Sequence, residues 1–373
     1  MILLDANASV PPLPGARAAL VRALDVDGNP SSPHGPGRAA RRLLDAARDQ
    51  VAVACAASSK DVFFTSGASE SNRLMVDMLI EAGLRRQRPF VVVTTALEHP
   101  SVHRPLARAA ERGQLVLRTL PIEQEAVVVD DAVSSVLLDA DALVVTAAHN
   151  ETGLLIDVAR LCQLVRDEVV VVVDAAQSLG RTGAPPDRVD AVVCSAHKLG
   201  GYAGAGAVVL RRRARTLPPP WTGGGQENGL RPGTEATALI AAFGAACAVI
   251  EDTRRRHRLL APLRDRLEAQ VIAACGGRAL CAGARLPNTS AVLFPDVDGD
   301  ALRLWLDQSG TAVGFGAACS ALAPEPSPGL VALGLSVEDT RRVVRLSLPP
   351  GISEADIDDA GQRIAAVARK LRC

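Results

Sequence analysis

Aromatic residues are scarce in this 373-residue chain, and it carries no net charge. Phe, Trp and Tyr together make up 2% of the sequence, which removes the stacking platforms on which single-stranded nucleic-acid binders depend. The 41 basic residues are balanced by 41 acidic residues, so no global field draws the protein to nucleic acid or to an anionic membrane. We therefore expect neither nucleic acid nor a membrane as a partner.

Long hydrophobic runs are also missing. The longest nearly uninterrupted apolar stretch, Ala238 to Ile250, has 13 residues between Glu235 and Glu251, which is too short to span a bilayer core of about 30 Å. It predicts a buried helix. The first residues contain no basic segment followed by a long apolar core, so we expect no secretory signal and a cytoplasmic location.

Paired cysteines are missing as well. The eight cysteines are spread over the chain without a CxxC pair, which argues against a disulfide framework and against a zinc site. We expect no bound metal, and we expect most of the thiols to be small apolar core residues. Cys319 is the exception, for reasons given below.

Short runs of β-branched residues alternate with helical segments between residues 37 and 210. Some runs, such as Val169 to Val173, are apolar at every position, which is typical of strands covered on both faces of a mostly parallel sheet. The pattern predicts an α/β fold, in which function gathers beyond the carboxyl ends of the strands. The predicted strands are Asp61–Thr65, Phe90–Thr95, Ala142–Ala147, Val169–Val173, Ala191–Ser195 and Ala207–Leu210.

The last third of the chain has a different pattern. Charged and apolar residues alternate at helical spacing from Arg254 to Ala274, which predicts one long amphipathic connecting helix. A smaller α+β domain is expected to follow it. Its predicted elements are strands at Ser290–Phe294 and Val343–Ser347 and helices at Asp300–Gln308 and Ala355–Leu371.

Polar residues follow the predicted strands at the points where parallel strands would end. Lys198 comes just after one strand, and Asp174 ends another. A lysine there suits covalent catalysis through a cofactor carbonyl, with a surface lysine as the simpler alternative. A carboxylate at the end of a buried strand needs a partner, which a protonated pyridine nitrogen would supply. A loop cap would also explain it.

Two turns have the composition of anion-binding loops. Thr65 to Glu70 ends a strand and opens a helix, where backbone amides and hydroxyls hold phosphate, and Gly223 to Thr234 is rich in glycine. Helix capping or an ordinary turn would explain either one alone. Their order in one sheet, with His99, Asn150 and Asp174 between them, favours a common site for a phosphate-bearing cofactor.

These motifs together resemble the cysteine desulfurases, within the class V aminotransferase group of fold-type I pyridoxal phosphate enzymes. The similarity runs over almost the whole chain. The motifs that carry it are Leu4–Pro11 (LDANASVP), Gly28–Arg38 (GNPSSPHGPGR), Phe64–Ser71 (FTSGASES), Glu98–His99, Asn150–Gly153 (NETG), Asp174–Ser178 (DAAQS), Ser195–Lys198 (SAHK) and Gly223–Thr234. The resemblance implies a large cofactor domain at residues 13–253 and a small domain formed by residues 1–12 and 254–373.

The resemblance also implies which residues face the cofactor ring. Lys198 would bind the aldehyde of pyridoxal 5'-phosphate covalently. Asp174 would pair with the ring nitrogen, and Gln177 would bind the ring hydroxyl. His99 would stack on the ring and shuttle protons, and Asn150 would contact both cofactor and substrate.

The phosphate and the substrate carboxylate are assigned in the same way. The substrate, L-cysteine, would be held by Asn150 and by Arg345, whose planar guanidinium suits a carboxylate. Thr234 would reach the phosphate from the second subunit of a homodimer. The residues implied to hold the phosphate within one chain are Ala68, Ser69, Ser195 and His197.

Cys319, between Ala318 and Ser320, would be the catalytic cysteine. A cysteine among small residues is usually a buried filler, but the prolines from Pro324 to Pro328 predict a loop. The resemblance places Cys319 on a mobile loop at about residues 314–330, as in the longer-loop group of the family. There it would take sulfur as a persulfide and pass it to an acceptor protein or thiol that the sequence does not identify. Cys373 is a weaker candidate for relaying sulfur.

Two alternatives stay open from the sequence. A selenocysteine lyase or another carbon–sulfur lyase would share this fold, and assays with cysteine and selenocysteine would separate the two. A catalytically silent, partner-binding protein would share only the fold. The presence of both Lys198 and Cys319 argues against the silent protein.

Overall fold

The computed structural model describes residues 1–315 and 326–372. In chain order, its strands are β1 Ile2–Leu4, β2 Val62–Thr65, β3 Val91–Thr94, β4 Val116–Thr119, β5 Ile122–Glu123, β6 Ala126–Val127, β7 Ala142–Thr146, β8 Val170–Asp174, β9 Ala191–Ser195, β10 Gly206–Leu210, β11 Arg278–Ala279, β12 Thr289–Leu293, β13 Thr311–Phe315 and β14 Val343–Ser347. The helices are α1 Pro14–Leu24, α2 Gly35–Ala54, α3 Ala68–Leu84, α4 Pro100–Glu111, α5 Ser134–Leu137, α6 Val158–Leu164, α7 Thr237–Cys247, α8 Ile250–Arg258, α9 Ala261–Cys275, α10 Gly299–Gln308, α11 Pro328–Ala332, α12 Val337–Arg341 and α13 Glu354–Arg372.

The largest sheet has seven strands in the order β2-β10-β9-β8-β7-β3-β4. β10 runs antiparallel to β2 and β9, and the other neighbouring pairs are parallel. The α/β fold with a mostly parallel sheet is therefore confirmed. Each predicted strand is present, with ends that agree to within one residue.

The valine-rich strands are buried on both faces because helices cover both sides of this sheet. Along β8, Val171 and Val173 point into one core, whereas Val170 and Val172 belong to a second core. This alternation follows from the two-residue period of a strand. Leu44 of α2 and Phe243 of α7 contribute to the first core, and Leu79 of α3 and Leu106 of α4 contribute to the second.

The second sheet has five strands in the order β1-β13-β14-β12-β11. β1 is parallel to β13, and the remaining pairs are antiparallel. The first strand of the chain therefore lies in a sheet whose other strands come from beyond residue 277. A separate core under this sheet includes Leu267 of α9, Leu302 of α10 and Ile357 of α13.

The predicted long helix from Arg254 to Ala274 is wrong in one respect. α8 ends at Arg258 and α9 begins at Ala261, so two helices take its place. Pro262 lies in the first turn of α9, where its missing N–H costs nothing, whereas inside a continuous helix it would remove a hydrogen bond and clash with the preceding turn. The apolar helix predicted over Ala238 to Ile250 likewise ends earlier, at Cys247.

The described helices include none that is long and apolar enough to cross a membrane. Five of the six described cysteines are buried and one, Cys162, is partly exposed. The prediction that most thiols are core residues is confirmed for these six. Cys319 and Cys373 lie outside the described residues.

Candidate active site

The candidate site lies at the edge where the parallel strands of the large sheet end. β3 leads into Glu98 and His99, and β7 leads into Asn150. β8 ends at Asp174, and β9 leads into Lys198. Because these strands run in one direction, their following residues meet at one edge, as the sequence predicts.

Asp174 is buried and fixed by two neutral donors. Its Oδ2 accepts a hydrogen bond from Asn72 Nδ2 at 2.7 Å, and its Oδ1 accepts one from the backbone N–H of Ala176 at 2.9 Å. Its exposed fraction is 6%. A carboxylate held in this way is placed to pair with a cationic ring nitrogen.

His99 is joined to Asp174 through two neutral side chains. His99 Nδ1 lies 2.7 Å from Ser101 Oγ and accepts a hydrogen bond from the backbone N–H of Ser101 at 3.1 Å. Asn72, which binds Asp174, also donates to Ser101 Oγ at 3.0 Å. Burial is the main cause that lowers the pKa of His99, and the charge of Lys198 adds to it while Asp174 opposes it. The site therefore disfavours the charged form of the His99 imidazole.

Lys198 and Gln177 converge on the backbone of the N-terminal segment. Lys198 Nζ donates to the carbonyl oxygens of Asn7 and, at 3.0 Å, of Ala8. Gln177 Nε2 donates to the carbonyl oxygen of Asn7 at 3.0 Å. Two residues that the sequence assigns to the same cofactor therefore share one acceptor.

Asn7 is a site residue that the sequence analysis missed. It is 1% exposed, and its Nδ2 donates to Asn150 O and to Thr289 Oγ1, both at 3.1 Å. It thus joins the large sheet to the five-stranded sheet. Asn7 lies within the motif LDANASVP, which points to the family but does not by itself assign a role to the asparagine.

The turn before α3 has the features of a phosphate site. Gly67 lies at the N-terminal end of this 17-residue helix and has no side chain with which to cap it. A Cβ on Gly67 would stand 3.8 Å from Ser195 Oγ, and that hydroxyl lies 2.9 Å from His197 Nδ1. The structure therefore brings Ser195 and His197 to the helix end formed by Ala68 and Ser69. Burial, and secondarily Lys198, lower the pKa of His197 to about 4.

Arg345 and Asn150 also meet, as predicted. Arg345 Nη1 donates to Asn150 O at 3.0 Å, and Nη2 pairs with Asp5 Oδ1 at 2.5 Å. Its side chain is 3% exposed, and its buried Nε has no hydrogen-bond partner among the described residues. The guanidinium thus keeps a donor for a further acceptor, such as a substrate carboxylate.

Two buried carboxyl groups beside the site have raised pKa values. Burial raises the pKa of Glu98 to about 8, although Thr95 Oγ1 and the Thr146 N–H both donate to its Oε1. Burial also raises the pKa of Glu151 to about 7, against the opposing hydrogen bond from Ser327 Oγ at 2.9 Å. The sequence placed Glu98 beside His99 without assigning it a role.

Thr234 lies apart from this cluster within the described part of the chain. Thr234 is exposed, in a loop held by the ion pairs Arg231–Glu70 and Arg48–Glu227, each at 2.7 Å. No hydrogen bond among the described residues links the Thr234 side chain to the helix end at Ser69. Cys319 lies outside the described residues.

Comparisons with known proteins show the family and the fold of this chain. Residues 2–359 match the family model described as aminotransferase class V. A cysteine desulfurase of Frankia sp. (strain EuIK1) is 32% identical, with 100% of this chain and 92% of that protein covered. A solved structure described as a NifS-like protein has a TM-score of 0.90 at 26% identity, covering 99% of this chain and 100% of that one. Another, SspA in complex with cysteine, has a TM-score of 0.79 at 26% identity, covering 94% and 99%.

These findings define the class of the protein. The architecture is that of the fold-type I enzymes, with the polar cluster at the carboxyl edge of the large sheet. The chain belongs to the class V aminotransferase family and, within it, to the cysteine desulfurases.

The cofactor of this family is pyridoxal 5'-phosphate, and the residues at the site fit it. The open space at Gly67, beside a hydroxyl and an uncapped helix N-terminus, suits a phosphate group. Asp174 suits the ring nitrogen, and Lys198 suits the aldehyde. The donor set therefore matches the three functional ends of the cofactor.

Proposed function

We propose that this protein removes sulfur from L-cysteine, giving L-alanine and a persulfide on Cys319. The observation that carries the proposal is the convergence of Lys198 and Gln177 on the Asn7 carbonyl, at the strand edge that also holds Asp174. The related SspA structure contains cysteine, which supports the choice of substrate.

Three residues of the site are assigned to three different parts of the cofactor. When the cofactor is bound, Asp174 would hold the ring nitrogen, Gln177 the ring oxygen, and Lys198 the aldehyde carbon. The bound cofactor supplies an electron sink that acidifies the α-carbon of the substrate. The Lys198 amine would act as the general base that takes the α-proton of the substrate.

Arg345 and Asn150 orient the substrate through its carboxylate. Arg345 Nε has no hydrogen-bond partner among the described residues, which supports this role because a carboxylate would satisfy a buried donor. His99, which is bonded to Ser101 through Nδ1 and whose pKa is lowered mainly by burial, is assigned the role of proton shuttle. Orientation and proton transfer thus come from residues of both sheets.

The sulfur transfer is assigned to Cys319 from its sequence context. Its thiolate attacks the substrate sulfur, so an S–S bond forms and the Cβ–S bond of the substrate breaks. The electron pair of the broken bond stays with the three-carbon fragment, which takes up protons and leaves as alanine. The outer sulfur of the persulfide then passes to an external thiol or acceptor protein.

We also propose a homodimer in which Thr234 of one subunit reaches the phosphate of the other. The exposure of Thr234 in a well-anchored loop supports this. Sedimentation of the holoenzyme should give about twice the chain mass of 38.8 kDa. The cytoplasmic location stays a prediction from the sequence.

A Cys319→Ser variant tests the proposed reaction. It should bind the cofactor and cysteine normally but release alanine only at background level, because a hydroxyl forms no persulfide. Cys162→Ser is the matched control, since Cys162 is partly exposed and should leave turnover unchanged. Mass spectrometry after incubation with cysteine should place the persulfide on Cys319.

Two results would contradict the proposal. One is undiminished alanine release from Cys319→Ser, and the other is a persulfide that appears first on Cys373 in the wild type. Parallel assays with selenocysteine would show whether selenium is the preferred substrate atom.

A further inference from the structure

Arg181 is a buried cation without a carboxylate partner in the described part of the chain. It is 2% exposed. Its Nη1 donates to Asn7 Oδ1 at 2.6 Å and to Gln177 Oε1 at 2.7 Å, and its Nη2 donates to Ala6 O at 3.1 Å. Its Nε has no partner among the described residues. Every acceptor of this guanidinium is therefore neutral.

Arg48 and Arg285, which are partly buried, differ from Arg181 in this respect, whereas Arg211, which is 9% exposed, also has no carboxylate partner among the described residues. Arg48 pairs with Glu227 at 2.7 Å, and Arg285 pairs with Glu268 at 2.5 Å. An unpaired buried charge is costly, whereas a neutral side chain could fill the same volume without that cost. Burial and the charge of Arg345 lower the pKa of Arg181 to about 9, so it stays cationic at neutral pH. None of the described residues supplies an anion to Arg181.

The contact between Arg181 and Gln177 fixes the orientation of the Gln177 side-chain amide. Because Gln177 Oε1 accepts from Arg181, the Nε2 end is the one that faces the Asn7 carbonyl and Lys198. An N–H group in this position can donate to an oxygen anion. Arg181 therefore fixes Gln177 as a donor and places a positive charge directly behind it.

We propose that Arg181 is a positioning residue that holds the Gln177 amide as a donor and balances the charge of the cofactor's anionic ring oxygen. The inference rests on the proposed contact between Gln177 and that oxygen. The other charged or titratable groups nearby are Lys198, Arg345 on β14 and His257 on α8. Burial, with a smaller contribution from Arg181, lowers the pKa of His257 to about 4, so it stays neutral through the range of the test.

The test is a pH titration of the visible absorbance of the lysine-bound cofactor in the holoenzyme. Arg181→Met should raise the titration midpoint by about one pH unit or more, because loss of a nearby cation favours the protonated form. Arg181→Lys should restore most of the wild-type midpoint. Gln177→Glu, which gives Arg181 a carboxylate partner and so needs no buried unpaired charge, should also raise it. Arg188→Met is the matched control, because Arg188 pairs with Asp190 at the opposite edge of the sheet.

The outcomes separate this inference from the proposed function. Unchanged midpoints in both Arg181→Met and Gln177→Glu would overturn the role of Arg181. An equal shift in Arg188→Met would do the same, since it would show a general effect of losing a buried cation. A wild-type protein in which no lysine binds the cofactor would instead refute the proposed function.

Discussion

Gly314 lies against the guanidinium of Arg345. A Cβ on Gly314 would stand 2.5 Å from both Nε and Nη2 of Arg345, closer than non-bonded atoms can approach. The strand β13 thus leaves room for this arginine by having no side chain at one position. The backbone of Gly314 is not left-handed, so alanine is compatible with its conformation and would act through the contact alone.

Gly314→Ala should therefore weaken substrate binding. The displaced guanidinium should raise the KM for L-cysteine about tenfold, equivalent to about 1.4 kcal/mol, and leave the spectrum of the bound cofactor unchanged. Steady-state kinetics measure the effect. Gly15→Ala is the control, because a Cβ on Gly15 meets nothing within 4 Å. An unchanged KM for L-cysteine would argue against a role of Arg345 in substrate binding.

Reduction with borohydride should attach the cofactor to Lys198. The chain contains only three lysines, Lys60, Lys198 and Lys370, and Lys198 is the one that is not exposed. Peptide mapping of the reduced holoenzyme identifies the labelled residue. Lys60→Ala should keep the visible absorbance of the bound cofactor, whereas Lys198→Ala should lose it. A label on Lys60 or Lys370 would disprove the assignment.

Thr234→Val tests the shared site of the dimer. Thr234 is exposed within one chain, so the free energy of unfolding of the cofactor-free protein should change by less than about 0.5 kcal/mol. The dissociation constant of the cofactor should nevertheless rise several-fold, because a hydroxyl donor to the phosphate is lost. Fluorescence titration measures this constant, with the exposed Thr216→Val as control. Equal affinity in the two variants would argue against a contact between Thr234 and the phosphate.

Glu98→Gln should change how stability depends on pH. The pKa of Glu98 is raised from 4.5 to about 8 in the folded protein, so folding favours its protonated form. The contribution of Glu98 to the free energy of unfolding is therefore complete below pH 4.5. It is lost as the pH rises toward 8, at about 1.4 kcal/mol for each pKa unit. The amide does not ionise, so the variant should gain stability relative to the wild type between pH 5 and pH 8.

Urea denaturation at both pH values measures that difference for Glu98→Gln. Glu251→Gln, whose carboxylate is 76% exposed, should show no such trend. A stability difference between Glu98→Gln and wild type that stays constant with pH would mean that Glu98 is ionised in the folded protein.

The strands and the order of the site residues were predictable from the sequence. Valine runs such as Val170–Val173 specify buried strands by composition, and parallel strands bring the residues that follow them to one edge. Lys198, Asp174 and His99 are therefore assigned from local spacing together with the family motifs. The break at Pro262 was also present in the sequence, but helical periodicity outweighed it in the prediction.

The tertiary structure alone decided which residues support this site. Asn7 contacts Ser347 across 340 positions and Gln177 across 170, and Gly314 meets Arg345 only because β13 pairs with β14. The sequence motifs give Arg181 no role, yet it is buried against Asn7 and Gln177. Periodicity and propensity report on neighbours along the chain. These contacts depend instead on how two sheets pack together, which no local pattern encodes.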